Sequence, residues 1–226
     1  MKKVFIGVGH GGSDPGASSY LVEKDVNLAM AKYCCELLQQ NGVEVKMSRT
    51  KDENDPLSEE IKECNSFNPD LAIDVHNNAG GGDGFEVYHH YKGGTSKVLA
   101  QNIEKEIIKI GQNSRGCRVK LNSAGKDYFG FIRLTKCPAV IVEGVFVDNK
   151  TDAAIADTAS EQKAFGYAYA KGILATLGIT LKAENEATSN NELYKVQIGA
   201  YSDKDNAEVQ LKKAKEAGFK DAYITK

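Results

Sequence analysis

The sequence predicts an α/β fold: a twisted, mostly parallel sheet flanked by helices, with a small C-terminal βαβ unit behind it. Two observations carry this. Short apolar runs of strand length alternate with stretches whose apolar residues recur at helical spacing. Three of those runs also lead into side chains able to ligate a metal or move a proton: Val4-Phe5-Ile6-Gly7-Val8 leads to His10, Leu71-Ala72-Ile73-Asp74-Val75 to His76, and Ala139-Val140-Ile141-Val142 to Glu143. Open α/β sheets keep their ligand crevice at the carboxyl ends of their strands. If these three strands are parallel neighbours, the three side chains meet at one rim.

The elements follow in order. The first apolar run ends in Gly9-His10-Gly11-Gly12-Ser13-Asp14-Pro15-Gly16, a turn that cannot continue a regular element. Val22, Val26, Met30, Tyr33 and Leu37 predict a helix over residues 21–40, stopped by Asn41-Gly42. Residues 43–47 alternate as a strand, 50–56 form a charged loop, and 57–65 a short helix broken by Asn68-Pro69. The His76 strand gives way to Asn77-Asn78-Ala79-Gly80-Gly81-Gly82. Residues 84–88 read as a strand, and Leu99, Ile103, Ile107 and Ile110 mark a second amphipathic helix. Residues 115–134 show no clean period and read as loop with short strand pieces. The Glu143 strand follows, and then a helix over 161–177 with Phe165, Tyr169, Ile173 and Leu177 on one face.

This main domain spans residues 1–180. Residues 181–191 are polar and aperiodic, a linker. Residues 192–226 carry a strand over 194–199, a helix over 204–217 and a strand through Tyr223-Ile224. A unit of that size buries too little surface to fold alone, so it must dock or pair.

The chain has 226 residues, 41% hydrophobic and 27% charged, with a formal net charge of -2. That balance carries no footprint for nucleic acid, and no run approaches the ~20 apolar residues of a membrane span. The apolar stretch behind Met1-Lys2-Lys3 is shorter than the ~7–15 residues of an export signal, so synthesis in the cytoplasm without a signal peptide is expected. Cys34, Cys35, Cys64, Cys117 and Cys137 form no C-x-x-C pair and are odd in number, which argues against a disulfide framework or a thiolate site.

Two imidazoles and a carboxylate suit one Zn2+ ion, with a further position left open in catalytic sites. Glu23, in the first turn of the helix after the Gly-rich loop, is placed to be the third ligand, with Asp14 and Asp25 as alternatives. Glu143 then supplies a general base, and the composite is metal-assisted hydrolysis of an amide or ester. His89 and His90 lie past a strand end, as exposed or rim residues. Gly7-Val8-Gly9-His10-Gly11-Gly12 also satisfies the dinucleotide pattern G-x-G-x-x-G. That pattern needs a helix at once; Ser13-Asp14-Pro15-Gly16 blocks it, and Ser48-Arg49 stands where an acid should follow the second strand.

The motifs Gly9-His10-Gly11-Gly12-x-Asp14-Pro15-Gly16-Ala17, Glu23-Lys24-x-x-Asn27-Leu28, His76-Asn77-Asn78-Ala79, Gly84-Phe85-Glu86-Val87-Tyr88, Arg115-Gly116 and Pro138-Ala139-Val140-Ile141-Val142-Glu143 stand in one order. Over residues 3–178 the chain thereby resembles zinc-dependent N-acetylmuramoyl-L-alanine amidases of the type 3 family. The resemblance implies that His10, Glu23 and His76 hold zinc and that Glu143 is the catalytic carboxylate. The implied reaction cleaves the amide joining the lactyl group of N-acetylmuramic acid to L-alanine of the stem peptide. Asn78 and residues 80–82 are then expected to line the substrate groove. The chain departs from the family's usual pattern at Gly7-Val8-Gly9, at Glu60 and Cys64-Asn65, and at Gly144-Val145-Phe146; none of these is a proposed ligand.

The tail, with Tyr194-Lys195-Val196-Gln197-Ile198-Gly199-Ala200-Tyr201-Ser202, Leu211 and Ala217-Gly218-Phe219, resembles the first half of a sporulation-related repeat (SPOR) domain, a module that binds peptidoglycan glycan strands. Only one of its two halves is present, so a homodimer through this segment would complete the sheet. The expected function is peptidoglycan hydrolysis by a bacterial or phage-encoded enzyme, an endolysin or a sporulation or autolysis enzyme, reaching the wall after release by lysis. The alternatives are an inactive wall-binding protein and a zinc metallopeptidase cutting stem peptides.

Overall fold

The computed structural model describes residues 1–182, 199–219 and 223–224. The chain divides into two compact units, Met1–Ala183 and Glu184–Lys226.

The first unit is built on a six-stranded sheet of order β2-β1-β3-β6-β4-β5. The strands are β1 (Lys3–Val8), β2 (Glu44–Met47), β3 (Leu71–Asn78), β4 (Phe85–His89), β5 (Ser114–Arg118) and β6 (Ala139–Phe146). β2, β1, β3 and β6 are mutually parallel; β4 runs antiparallel to β6 and parallel to β5. The central strands are apolar on both faces because both are covered. On one face lie α1 (Glu23–Gln40), α3 (Thr95–Lys109) and α6 (Ala159–Leu177), enclosing Val4, Ile6, Val8, Ile73, Val75, Val140 and Val142 with Met30, Ile103, Tyr169 and Ile173. On the other lie α2 (Leu57–Phe67) and α4 (Gly130–Leu134), over a smaller cluster of Phe5, Ala72, Ile141, Cys64 and Phe131. Successive strand residues point to opposite faces. The thinly covered face therefore receives Gly7, Asp74, His76, Glu86 and Glu143, the residues that carry the chemistry.

Within the first unit the elements differ from the sequence expectation in four places. Residues 130–134 form helix α4, not a strand piece: Phe131 and Ile132 turn into the smaller cluster, and Arg133 Nη1 donates to the Tyr128 carbonyl at 2.8 Å. One turn of helix is too short to show a period. Both β3 and β6 run past the residues expected to end them, so His76 and Glu143 lie within strands and face each other in register. His89 is not at an exposed rim; it closes β4 with 7% of its surface exposed. A short helix α5 (Lys150–Ala153), capped by the Asn149 side chain, lies between β6 and α6.

In the second unit the expected helix is present as α7 (Lys204–Glu216), capped by Asp203, whose Oδ1 accepts from Asp205 N at 2.8 Å. Tyr223 and Ile224 are not in a strand. Residues 194–198 of the expected strand and 183–191 of the expected linker lie outside the described residues. Among the described residues no helix is long and apolar enough to cross a membrane.

Candidate metal centre

β1 delivers His10, two residues beyond its last strand residue, with a left-handed backbone at φ 63°. That conformation is uncommon for a side-chain-bearing residue. It swings the imidazole back over the sheet rather than on into the loop. The loop then folds onto itself: Glu23 N donates to the Ala17 carbonyl at 2.9 Å and Lys24 N to the Pro15 carbonyl at 3.2 Å. This seats the start of α1 beside His10. Gly16, at φ 64°, is required here twice over, since a Cβ would stand 2.5 Å from Glu23 Oε2 and 2.7 Å from His10 Cδ2. Gly9 leaves room for the third side chain: a Cβ there would meet the His76 ring at 2.2 Å.

Glu23 Oε1 lies 3.2 Å from His10 Nε2 and 3.1 Å from His76 Nδ1. One donor atom from each of the three residues lies within 4.8 Å of the others. Two imidazole nitrogens and one carboxylate oxygen, on a partly open face, form a donor set that fits zinc. The alternatives fall elsewhere. Asp25 is exposed on α1, outside this cluster. Asp14 turns to the other ring nitrogen of His10, Nδ1, at 2.9 Å, while its Oδ1 accepts from Gly16 N at 3.0 Å.

The electrostatics follow from this packing. Burial opposes ionisation of Glu23, but hydrogen bonds with His10 and His76 outweigh it and hold the carboxyl well below its usual range. The bond to Glu23 raises His10. Burial works against protonation of His76, yet Asp74 and Glu23 raise it well above the usual value. Burial pushes Glu143 up to about 7; His76 opposes this, and the carboxylates of Glu23, Asp74 and Glu86 add to it. Glu86 faces Glu143 across the β4–β6 pair and is itself held by Arg115 and by Tyr88 Oη at 2.9 Å. The result is one firmly ionised carboxylate between two imidazoles, and a second carboxyl beside them that titrates near neutrality.

Asn78 ends β3 at the rim, with Oδ1 accepting from Ala79 N at 2.9 Å. The glycine turn after it is tied down by Asp148 Oδ2, which accepts from Gly80 N at 2.8 Å and Gly81 N at 2.9 Å.

Several residues that shape the site carry no local signal. Asn27 Nδ2 donates to the Gly9 carbonyl at 3.0 Å, Asn77 Nδ2 to Asn27 Oδ1 at 2.8 Å, and Val145 N to Asn77 Oδ1 at 3.0 Å. This buried chain runs from the turn after β1 through α1 and β3 to β6. Arg49, 2% exposed, donates to the carbonyls of Val8 at 3.1 Å, Gly9 at 3.2 Å and Lys24 at 2.8 Å. Asn27 and Asn77 stand within the motifs quoted above and Arg49 outside them, and nothing in their spacing foretells these bonds.

The family model described as N-acetylmuramoyl-L-alanine amidase matches residues 4–175. The SPOR domain model matches residues 170–226, beginning within α6. The sporulation-specific N-acetylmuramoyl-L-alanine amidase of Bacillus subtilis is 32% identical over 232 residues, which take in 100% of this chain and 86% of that protein. The endolysin of Bacillus phage SPP1 is 33% identical over 201 residues, 84% of this chain and 72% of that protein. Among solved structures, the catalytic domain of CwlV, an N-acetylmuramoyl-L-alanine amidase from Bacillus (Paenibacillus) polymyxa var. colistinus, superposes with a TM-score of 0.72 at 29% identity, covering 80% of this chain and 100% of that one.

Proposed function

This chain belongs to the N-acetylmuramoyl-L-alanine amidase family and is a peptidoglycan amidase; we propose that His10, Glu23 and His76 hold one zinc ion and that Glu143 is its catalytic carboxylate. The observation that carries this reading is the convergence of three donor atoms within 4.8 Å, with Glu143 in register with His76 on the neighbouring strand. When bound, zinc supplies a Lewis acid that polarises the scissile carbonyl and activates water. Glu143 accepts a proton from the attacking water and returns it to the departing amine of L-alanine, a role suited to a carboxyl near 7. Glu23 stays ionised throughout, which reserves proton transfer for Glu143. Asn78 and residues 80–82 bound the groove on the β3 side and contact the substrate.

The test is end-group analysis of purified walls after digestion, with and without a chelator. New L-alanine amino groups, lost on chelation and restored by zinc, are expected. New amino groups from other stem residues would make the protein a metallopeptidase, and none at all would make it a binding protein.

We further infer that the enzyme reaches the wall after lysis, as the likeness to a phage endolysin suggests, and that the second unit pairs with another copy. The exposed apolar side chains of Val209, Phe219 and Tyr223 support the pairing. Wall-hydrolysing activity that appears in culture medium before lysis, or a monomer by sedimentation, would exclude these respectively.

A further inference from the structure

We propose that Asp74 and Glu60 are positioning residues for His76: Asp74 holds the outer nitrogen of its ring, and Glu60, packed over the bare Cα of Gly7, keeps Asp74 in that place. The inference rests on the reading of His76 as a metal ligand and reaches one layer further out.

The geometry begins at the imidazole. Its Nδ1 faces Glu23 Oε1 at 3.1 Å, on the side of the converging donors. Its Nε2 faces Asp74 Oδ2 at 3.3 Å, on the opposite side. Asp74 is two residues earlier on β3, so strand alternation puts it on the same face of the sheet. His10 shows the same arrangement from the solvent side, with one ring nitrogen toward Glu23 and the other 2.9 Å from Asp14 Oδ2. Each imidazole is thus held between an inner and an outer carboxylate. Such outer partners fix the ring's orientation and tautomer and raise its basicity.

Asp74 is an expensive way to fill its position. It sits in an otherwise apolar run with 2% of its surface exposed, and Glu60, from α2, comes against it with 4% exposed. Asp74 Oδ1 and Glu60 Oε1 meet no N–H or hydroxyl donor, and the two carboxyls face each other; burial and the Asp74 carboxylate raise Glu60 well above the usual carboxyl range. Both point at Gly7, where a Cβ would stand 2.8 Å from the first and 1.9 Å from the second. Two carboxyls buried face to face cost stability that an apolar pair would not. Packing alone does not account for them. Orientation of the ring that Asp74 touches does, and the space above Gly7 is what allows Glu60 to back it.

The experiment measures zinc affinity of the full-length protein by competition with a chromophoric chelator, each variant compared at equal folded fraction by far-UV circular dichroism. Asp74→Asn, which keeps the shape and loses the charge, is expected to weaken zinc about 10- to 100-fold. Asp74→Ala is expected to weaken it more, and Glu60→Gln less and in the same direction. In the cobalt-loaded protein the visible ligand-field bands of Asp74→Asn should shift, a change that a merely structural role would not produce. Wild-type zinc affinity in both Asp74 variants, alongside loss of binding in His76→Ala, would overturn the proposal and leave His76 a ligand. Wild-type affinity in His76→Ala as well would overturn the ligand reading itself.

Discussion

A carboxyl that titrates near 7 beside one that is fixed as an anion divides the labour at this site. Glu143 owes its high value to burial among other carboxylates, and Glu23 its low one to two imidazoles. Glu143→Gln is therefore expected to bind zinc like the wild type and to lose about 10²- to 10⁴-fold in rate of L-alanine end-group release. His76→Ala should lose the metal. The same shifts set the pH dependence of the metal-free protein. A carboxyl raised from 4.5 to about 7 gives the folded state extra protons, so its stabilisation is complete below 4.5 and is lost as pH rises through 7. His10 and His76, raised above 6.5, act in the same direction: their contribution is complete below 6.5 and fades at higher pH. Glu23 acts oppositely, but only in acid below its ordinary value of 4.5. Urea unfolding of metal-free protein should accordingly show lower stability at about pH 8 than at about pH 5, with a smaller difference in Glu143→Gln. Equal stability at the two pH values would contradict the shifts.

At the scale of elements, the site depends on how β1, α1, β3 and β6 are tied together rather than on any one of them. The Gly9–Asn27–Asn77–Val145 chain joins all four in a buried line. Asn77→Ala leaves Asn27 Oδ1 and the Val145 N–H without partners, and is expected to cost about 1–3 kcal/mol for each buried group so orphaned. Chemical denaturation measures this, and a change within ~0.5 kcal/mol would show the chain to be dispensable. Gly9→Ala makes a sharper case. Its Cβ would displace the His76 ring while β1 keeps its ladder, so secondary structure should persist and zinc binding fail. Circular dichroism with metal titration reads both.

Considered whole, the protein consists of a unit with its own core and a smaller unit built around α7. Among the described residues, both apolar clusters, one on each face of the sheet, lie within Met1–Ala183. A chain of that length can bury enough surface to fold by itself. A fragment ending at residue 183 should unfold cooperatively and release L-alanine ends from soluble wall fragments at the full-length rate. Its co-sedimentation with insoluble walls should fall, reporting the contribution of the SPOR-matching segment. A fragment that fails to unfold cooperatively would show that the second unit is needed for the fold.

The sequence by itself located most of the strands and helices and singled out the side chains proposed to carry the chemistry. Apolar runs and helical periods are local, and a histidine or glutamate at the edge of such a run stands out against it. It left residues 130–134 without a helix, because one turn is too short for a period, and although Glu60 stood out as a departure from the family pattern, nothing tied it or Asp74 to His76. An acid inside an apolar run or on a short helix has no local signature of what it will face. Only the tertiary structure decided that β1, β3 and β6 are neighbours in that order, that β4 comes back antiparallel, and that His76 and Glu143 share a register. Strand order pairs residues far apart along the chain, and its energy lies in contacts that exist only once the sheet is assembled.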